Sequence, residues 1–282
     1  VFNLAAVTDK NRPTVAVIGV GAMGEALSAG LISAGWQPSA LSLVVRRSEK
    51  IESIRARTGI EASLDPGAAD GREVVVVAVK PRDVPALLSQ MSGRIVPGQV
   101  VLTIAAGVPT ATFEAALGEV AVVRAMPNTP ALVKEAVTGI APGRYASADD
   151  VEKARQILEA VGSVTVMDEA LLDAVTAVSG TGPAYVFLLA EALTEAAVRE
   201  GLPRDIAQAF VHQTIRGAGH LLTETKRGPF ELRSQVTSPG GTTAAAVHVL
   251  EERGFRALVE DAVRAAAQRA RELGAAKESG LG

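Results

Sequence analysis

Glycines 19, 21 and 24 occur in the spacing Gly19-Val20-Gly21-Ala22-Met23-Gly24, directly after the aliphatic run Thr14-Val15-Ala16-Val17-Ile18 and just before a helical pattern. This arrangement suits the binding of an anion. Gly19 permits a tight turn out of a strand, Gly21 lets the backbone approach a pyrophosphate, and Gly24 lets the helix that opens at Ala22 and Met23 pack on a sheet. Unpaired N–H groups at the helix start would face the phosphates. Such a spacing also arises by chance in strand–turn–helix units that bind nothing. Here the flanking strand and helix supply the context that a dinucleotide loop requires.

The helical pattern runs to about Gly35, and the next strand is Leu41-Ser42-Leu43-Val44-Val45. Its end is expected beside an adenosine ribose, where an acidic residue would accept a hydrogen bond from the 2′-hydroxyl. The chain instead carries Arg46-Arg47-Ser48. Forked guanidinium donors and a hydroxyl suit a 2′-phosphate, so NADPH is expected ahead of NADH, with NADH still usable. The plainer alternative is a pair of solvated arginines at a strand end. Further strand ends carry Lys80-Pro81, Ala105-Ala106-Gly107 and Met126-Pro127-Asn128-Thr129-Pro130, and ligands of open α/β sheets sit at such ends. Small side chains at 105–107 leave room for a flat nicotinamide. Asn128 offers donors and an acceptor to a carboxamide or a substrate, while Pro127 and Pro130 stiffen the turn around it.

These residues need a scaffold, and the pattern supplies one. Glu73–Val79, Gln99–Ile104 and Val120–Arg124 are continuous aliphatic runs, as expected of strands covered on both faces, with helices near 83–92 and 110–117 between them. The expected fold class is α/β: an N-terminal Rossmann-type, doubly wound parallel sheet followed by an all-helical domain. Thr138–Ala141 and Val164–Met167 flank a helix from about Asp149 to Val161 and extend the sheet. After Asp168 the strand signal fades. Pro183 opens a helix that runs to Glu200, Gly201 stops it and Pro203 opens the next. Helices follow near 203–225, 229–236, 242–253 and 255–273. The division is therefore placed at 1–168 and 169–282. The apolar faces of the second domain suit burial against another subunit, with self-packing as the alternative. Glu278–Gly282 suggests a frayed tail.

The 282 residues suffice for two domains, and a hydrophobic share of 48% with only 3% aromatics means a core built from Ala, Val, Leu and Ile. A net charge of −3 provides no basic field for a nucleic-acid backbone. The absence of cysteine removes disulfides, thiolate metal sites and thiol nucleophiles, and is compatible with a reducing cytosol. Val1–Val7 has no basic leader, and no run is expected to reach membrane-spanning length, so a cytoplasmic protein without membrane partners is expected.

Taken together, the glycine loop, Ala78-Val79-Lys80-Pro81, Arg124-Ala125-Met126-Pro127-Asn128-Thr129-Pro130, Ser179-Gly180-Thr181-Gly182-Pro183-Ala184-Tyr185 and Ser238-Pro239-Gly240-Gly241-Thr242-Thr243 resemble the pyrroline-5-carboxylate reductase family over about residues 14–273. The last motif is the most specific. The resemblance implies reduction of L-1-pyrroline-5-carboxylate to L-proline, the last step of proline biosynthesis. It also implies cofactor contacts along Ala78–Pro81 and an intertwined homodimer, with decamers as a further assembly. Thr243 matches the position whose side chain hydrogen-bonds the ring nitrogen and donates or relays a proton. Hydride transfer to C=N needs that nitrogen protonated or hydrogen-bonded, and a hydroxyl suffices. Gly240 and Gly241 would present backbone N–H groups to the substrate carboxylate at a helix start, with Ser238 adding a hydroxyl. Ser179 and Thr181 would cap the Pro183 helix or face the substrate; the family commonly has Ser where this chain has Thr181. Thr242 and Thr243 also have a plainer role at a helix N-terminus.

His212, His220 and His248 fall in helical segments outside every motif, and the acidic residues do not cluster as metal ligands, so no metal is expected. A β-hydroxyacid dehydrogenase type of NADP oxidoreductase would need a lysine near Ser179–Tyr185. The nearest, Lys153 and Lys226, are remote. A non-catalytic NADP sensor would leave Ser238–Thr243 unexplained.

Overall fold

The computed structural model describes residues 12–278. The leader expectation at Val1–Val7 and the tail beyond Glu278 lie outside the described residues. The chain divides into two compact units: one runs up to Thr181 and takes in the chain from Ala266 onward, and the other is Gly182–Ala265. This division by packing falls later than the change of element type at 168.

The first unit is built on β1 (Val15–Ile18), β2 (Leu41–Val44), β3 (Val74–Val77), β4 (Val100–Thr103), β5 (Ala121–Met126), β6 (Ala136–Pro142) and β7 (Gly162–Val166). They form one sheet in the order β2-β1-β3-β4-β5-β6-β7. Val15, Val17, Val74, Val76, Val100 and Leu102 face one side, against Leu27 and Leu31 of α1 (Ala22–Ser33), Ile54 of α2 (Ile51–Thr58) and Ile157 and Leu158 of α5 (Ala148–Glu159). Ala16, Ile18, Val75, Val77 and Val101 face the other, against Val84, Leu87, Leu88 and Met91 of α3 (Val84–Met91) and Phe113 of α4 (Thr110–Leu117). Alternate residues of one strand thus serve opposite cores, which is why the strands are aliphatic throughout. Each fully buried Leu, Ile or Phe contributes about 1.5–3 kcal/mol.

Two features differ from the expected sheet. β6 runs antiparallel to β5. Only residues 127–135 join them, including the 3₁₀ turn Thr129–Val133, and a parallel crossover needs a dozen or more residues. β7 then returns parallel to β6 across α5. On the opposite edge, Ser63 forms an isolated parallel bridge to Val44, with Ser63 N–H donating to Leu43 O at 2.8 Å and Val45 N–H to Ser63 O at 2.9 Å. Counting that bridge as a vestigial third strand, the spatial order becomes 3-2-1-4-5-6, the dinucleotide-binding order. The sequence pattern did not reveal α2. It buries only Ile54 and Thr58 and stops at Gly59, whose φ is +72°.

After β7 the chain forms α6 (Leu172–Val175), a π-helical turn over Thr176–Gly180, and α7 (Gly182–Arg199). Then come α8 (Arg204–Glu224), α9 (Pro229–Gln235), α10 (Thr242–Glu252) and α11 (Phe255–Glu278). Within Gly182–Ala265 only Thr194, Ala207 and Val211 are buried, while Phe187, Leu188, Phe210, Phe230 and Leu258 are each more than 60% exposed. Among the described residues, Glu169–Arg199 is one helical stretch long and apolar enough to cross a membrane by length and composition. The expectation that no such run exists is therefore corrected. The stretch is rich in Ala, Leu and Val on all sides, so length and apolarity coincide in it.

Candidate active site

From β1 the chain moves outward to β2, then crosses back to place β3 on the other side of β1. The crevice above β1 and β3 is therefore the topological switch point, where open α/β sheets bind ligands. Gly19, Val20, Gly21, Val45, Arg46, Arg47, Lys50, Ala78, Val79, Lys80, Arg82 and Asp83 line a cleft there. Gly19 has a φ of +96°, and its N–H donates to Val44 O at 2.9 Å. A Cβ on it would lie 2.8 Å from the Val79 nitrogen. A Cβ on Gly24 would lie 2.5 Å from Gly19 O, whereas one on Gly21 would meet no atom within 4 Å. The outer two glycines are thus required by the protein's own packing, and the middle one leaves open space. Gly21 caps α1 without a side-chain hydrogen bond, so the first-turn N–H groups, from Ala22 and Met23 onward, remain available.

Among the described residues, five cations, Arg46, Arg47, Lys50, Lys80 and Arg82, line this cleft with a single carboxylate, Asp83. Arg46 Nη1 lies 3.3 Å from Asp83 Oδ1, and Lys50 Nζ donates to Val20 O at 3.4 Å. Lys50, Arg82 and Asp83 were not singled out from the sequence, although each follows closely on a strand-end motif that was. Ser48 and Pro81 open 3₁₀ turns beside the cleft and do not line it. An adjoining slot is walled by Val45, Leu64, Pro66, Ala86, Leu87 and Gln90. Its mostly apolar walls suit an adenine ring. Only the Ser63 bridge brings Leu64 and Pro66 there, so no local pattern pointed to them. Cations for phosphates, an apolar slot for the base and an open cradle at Gly21 together fit a dinucleotide phosphate.

The ends of β4 and β5 lie on the same edge of the sheet, since β1, β3, β4 and β5 are parallel. Ala105 is buried, with its N–H donating to Thr103 Oγ1 at 3.2 Å, and Gly107 has a φ of +66°. The loop that holds Ala105, Ala106 and Gly107 leads into α4, which is anchored by Glu169. That carboxylate accepts from Thr110 N–H at 2.9 Å, Thr110 Oγ1 at 2.8 Å and Arg124 Nη1 at 3.1 Å. Arg124 Nη2 is 3.8 Å from Asp173.

Asn128 is buried and held at both ends of its amide. Nδ2 donates to Ser179 O at 3.2 Å and Oδ1 accepts from Val137 N–H at 3.1 Å. A Cβ on Gly180 would come within 2.6 Å of Met126 Cε. The Met126–Asn128 and Ser179-Gly180 motifs are therefore one construction, with one Nδ2 hydrogen of Asn128 left for a ligand. Ser179 and Thr181 turn their hydroxyl hydrogens back into the preceding turn. Ser179 Oγ donates to Val175 O at 3.2 Å, and Thr181 donates its hydroxyl at 3.0 Å and its N–H at 2.8 Å to Thr176 O, closing the π turn. Ser179 can offer a ligand only an acceptor while that bond is kept.

In the helical unit, Ser238-Pro239-Gly240-Gly241 forms a type II turn. Gly241 N–H donates to Ser238 O at 3.1 Å, and Gly240 has a φ of +70°. Proline and then glycine are the residues this turn demands. A Cβ on Gly241 would collide with Ser238 Oγ. Because the Gly241 N–H closes the turn, Gly241 is not a donor open to an anion, and the first residues of α10, beginning with Thr242 and Thr243, present further N–H groups beside that of Gly240. Gly241 caps α10 with no side-chain hydrogen bond, so neither threonine serves as the cap. Among the described residues there is no group of three or more His, Cys, Asp or Glu able to hold a metal.

Comparison with known proteins agrees with this geometry. A family model for pyrroline-5-carboxylate reductase dimerisation matches residues 169–273, and one for coenzyme F420-dependent NADP oxidoreductase matches residues 14–107. A pyrroline-5-carboxylate reductase of Corynebacterium melassecola is 42% identical over 266 residues, covering 93% of this chain and 98% of the relative. A solved pyrroline-5-carboxylate reductase from Coxiella burnetii superposes with a TM-score of 0.89 at 36% identity, covering 93% of this chain and 99% of that one. The Plasmodium falciparum pyrroline carboxylate reductase, solved with NADP bound, superposes with a TM-score of 0.83 at 28% identity, over 93% of this chain and 98% of that one. With identity at this level sustained along nearly its whole length, the chain belongs to the pyrroline-5-carboxylate reductase family.

Proposed function

We propose that this protein reduces L-1-pyrroline-5-carboxylate to L-proline with NADPH, with NADH as a second donor. The observation that carries the proposal is the cation-lined cleft at the switch point, joined to an apolar slot. Arg46 and Arg47 would hold the 2′-phosphate, and the backbone from Gly19 to Gly24 with Lys80 the pyrophosphate. Ala78, Val79, Pro81 and Ala105–Gly107 would line the path to the nicotinamide. The reduced nicotinamide supplies a hydride to the imine carbon, and a proton ends on the ring nitrogen. Thr243 would hydrogen-bond that nitrogen, while the N–H groups at the start of α10, with Ser238 beside them, would hold the carboxylate.

In this proposal residues 1–168 carry the cofactor, and 169–282 carry substrate binding and dimerisation. Exposed apolar residues along α7–α11 and the dimerisation family model support a homodimer, with a decamer as its further assembly. The same cover would account for the apolar Glu169–Arg199 stretch without a membrane. A cytoplasmic location and the absence of nucleic-acid partners belong to the same proposal. The test is loss of NADPH absorbance on adding pyrroline-5-carboxylate, with proline identified as product and a 3-hydroxyacid plus NADP as control. Tight NADPH binding without turnover on either substrate would overturn it.

A further inference from the structure

Asp83 is the sole carboxylate among the described residues lining the cleft. It stands at the entry to α3, across the switch-point crevice from the strand end that carries Arg46, and its Oδ1 lies 3.3 Å from Arg46 Nη1. The Arg46 side chain is 76% exposed and that of Asp83 34%. The guanidinium is thus held by a weak, solvent-screened partner that lines the same cleft. Arg47, Lys50, Lys80 and Arg82 have no carboxylate among the lining residues other than this one.

We propose that Asp83 is a specificity-determining residue for the nucleotide. It competes with the cofactor's 2′-phosphate for Arg46 and so narrows the preference for NADPH over NADH. The inference rests on the proposal that Arg46 receives the 2′-phosphate. A 2′-phosphate reaching Arg46 shares the guanidinium with the Asp83 carboxylate, which holds Nη1 at 3.3 Å and repels the incoming like charge, whereas a bare ribose 2′-hydroxyl brings no charge to the pair. The pair therefore weakens binding of the phosphorylated cofactor only.

The test is fluorescence titration of the purified full-length protein with NADPH and NADH, which reads binding and not turnover. Asp83→Asn should tighten NADPH about three- to fivefold, the size of an exposed ion pair, and leave NADH within about twofold. In an Arg46→Ala background the same substitution should have under about a twofold effect on NADPH. Asp83→Ser, which also suits a helix start, should shift NADPH in the same direction, and retained NADH binding reports that both variants are folded. Unchanged NADPH affinity, equal gains for both nucleotides, or a gain that persists without Arg46 would overturn the competition. If Arg46→Ala alone leaves NADPH affinity unchanged, the assignment of Arg46 to the 2′-phosphate fails, and the inference falls with it.

Discussion

A Cβ at position 21 would meet no protein atom within 4 Å, whereas one at position 24 would stand 2.5 Å from Gly19 O. Two substitutions in one motif should therefore fail differently. Gly21→Ala is expected to leave the melting temperature within about a degree or two and to weaken NADPH binding, because its methyl enters ligand space. Gly24→Ala forces α1 away from the loop and should destabilise the fold by about 1–3 kcal/mol, seen as a lower Tm without any ligand. Equal melting losses for the two would contradict the assignment of the space above Gly21 to a ligand. At the chemical end, Thr243→Ala should lower kcat about 10²-fold with the NADPH dissociation constant unchanged, and Thr243→Ser should restore most of the rate. An unaltered kcat would remove Thr243 from the chemistry. Arg46→Ala combined with Arg47→Ala should weaken NADPH about tenfold or more and barely touch NADH; parallel losses would point to the pyrophosphate instead.

At the scale of elements, the arrangement depends on joints between pieces far apart in sequence. Glu169 secures the start of α4 through both the N–H and the hydroxyl of Thr110, and also neutralises Arg124, whose side chain is 9% exposed. Glu169→Ala would leave that guanidinium with only Asp173 at 3.8 Å. The expected cost is about 3 kcal/mol, a fall in Tm of roughly 6–12 °C by thermal denaturation. A neutral result would mean that Asp173 or water replaces the carboxylate. The π turn at Thr176–Gly180 is a second such joint. Four of its five residues, Thr176, Val178, Ser179 and Gly180, are weaker helix formers than Ala177, and the sequence pattern marks no helix between Asp168 and Pro183. It forms because Asn128 holds the Ser179 carbonyl and Thr181 closes the turn on Thr176.

For the whole molecule, the helical unit buries three residues and exposes phenylalanines and leucines on several helices. A water-exposed surface of that kind calls for a cover, and a second copy of the chain is the proposed one. Sedimentation velocity should find the wild type as a dimer or larger at micromolar concentration. Leu188→Asp, on a side chain 66% exposed on α7, should shift it toward monomer. A monomeric wild type would refute the proposed cover.

The amino-acid sequence by itself determined the α/β class, the positions of the seven strands and the principal helices, and the glycine-rich turn between the first strand and helix. These rest on local physics: aliphatic runs for strands buried on both faces, glycine where a turn or close approach excludes a Cβ, and proline–glycine punctuation of helices. It also marked Arg46 and Arg47, because charge is legible at a strand end, and Thr243 through the resemblance of Ser238–Thr243 to a family motif. The tertiary structure alone decided the antiparallel β6, the bridge at Ser63 that supplies the walls of the apolar slot, and the pairing of Arg46 with Asp83. It also decided that Asn128 is engaged by the Ser179 and Val137 backbones. Each of these is a contact between residues separated by at least nine positions and, in most cases, by intervening elements, and no periodicity or local propensity encodes such a meeting.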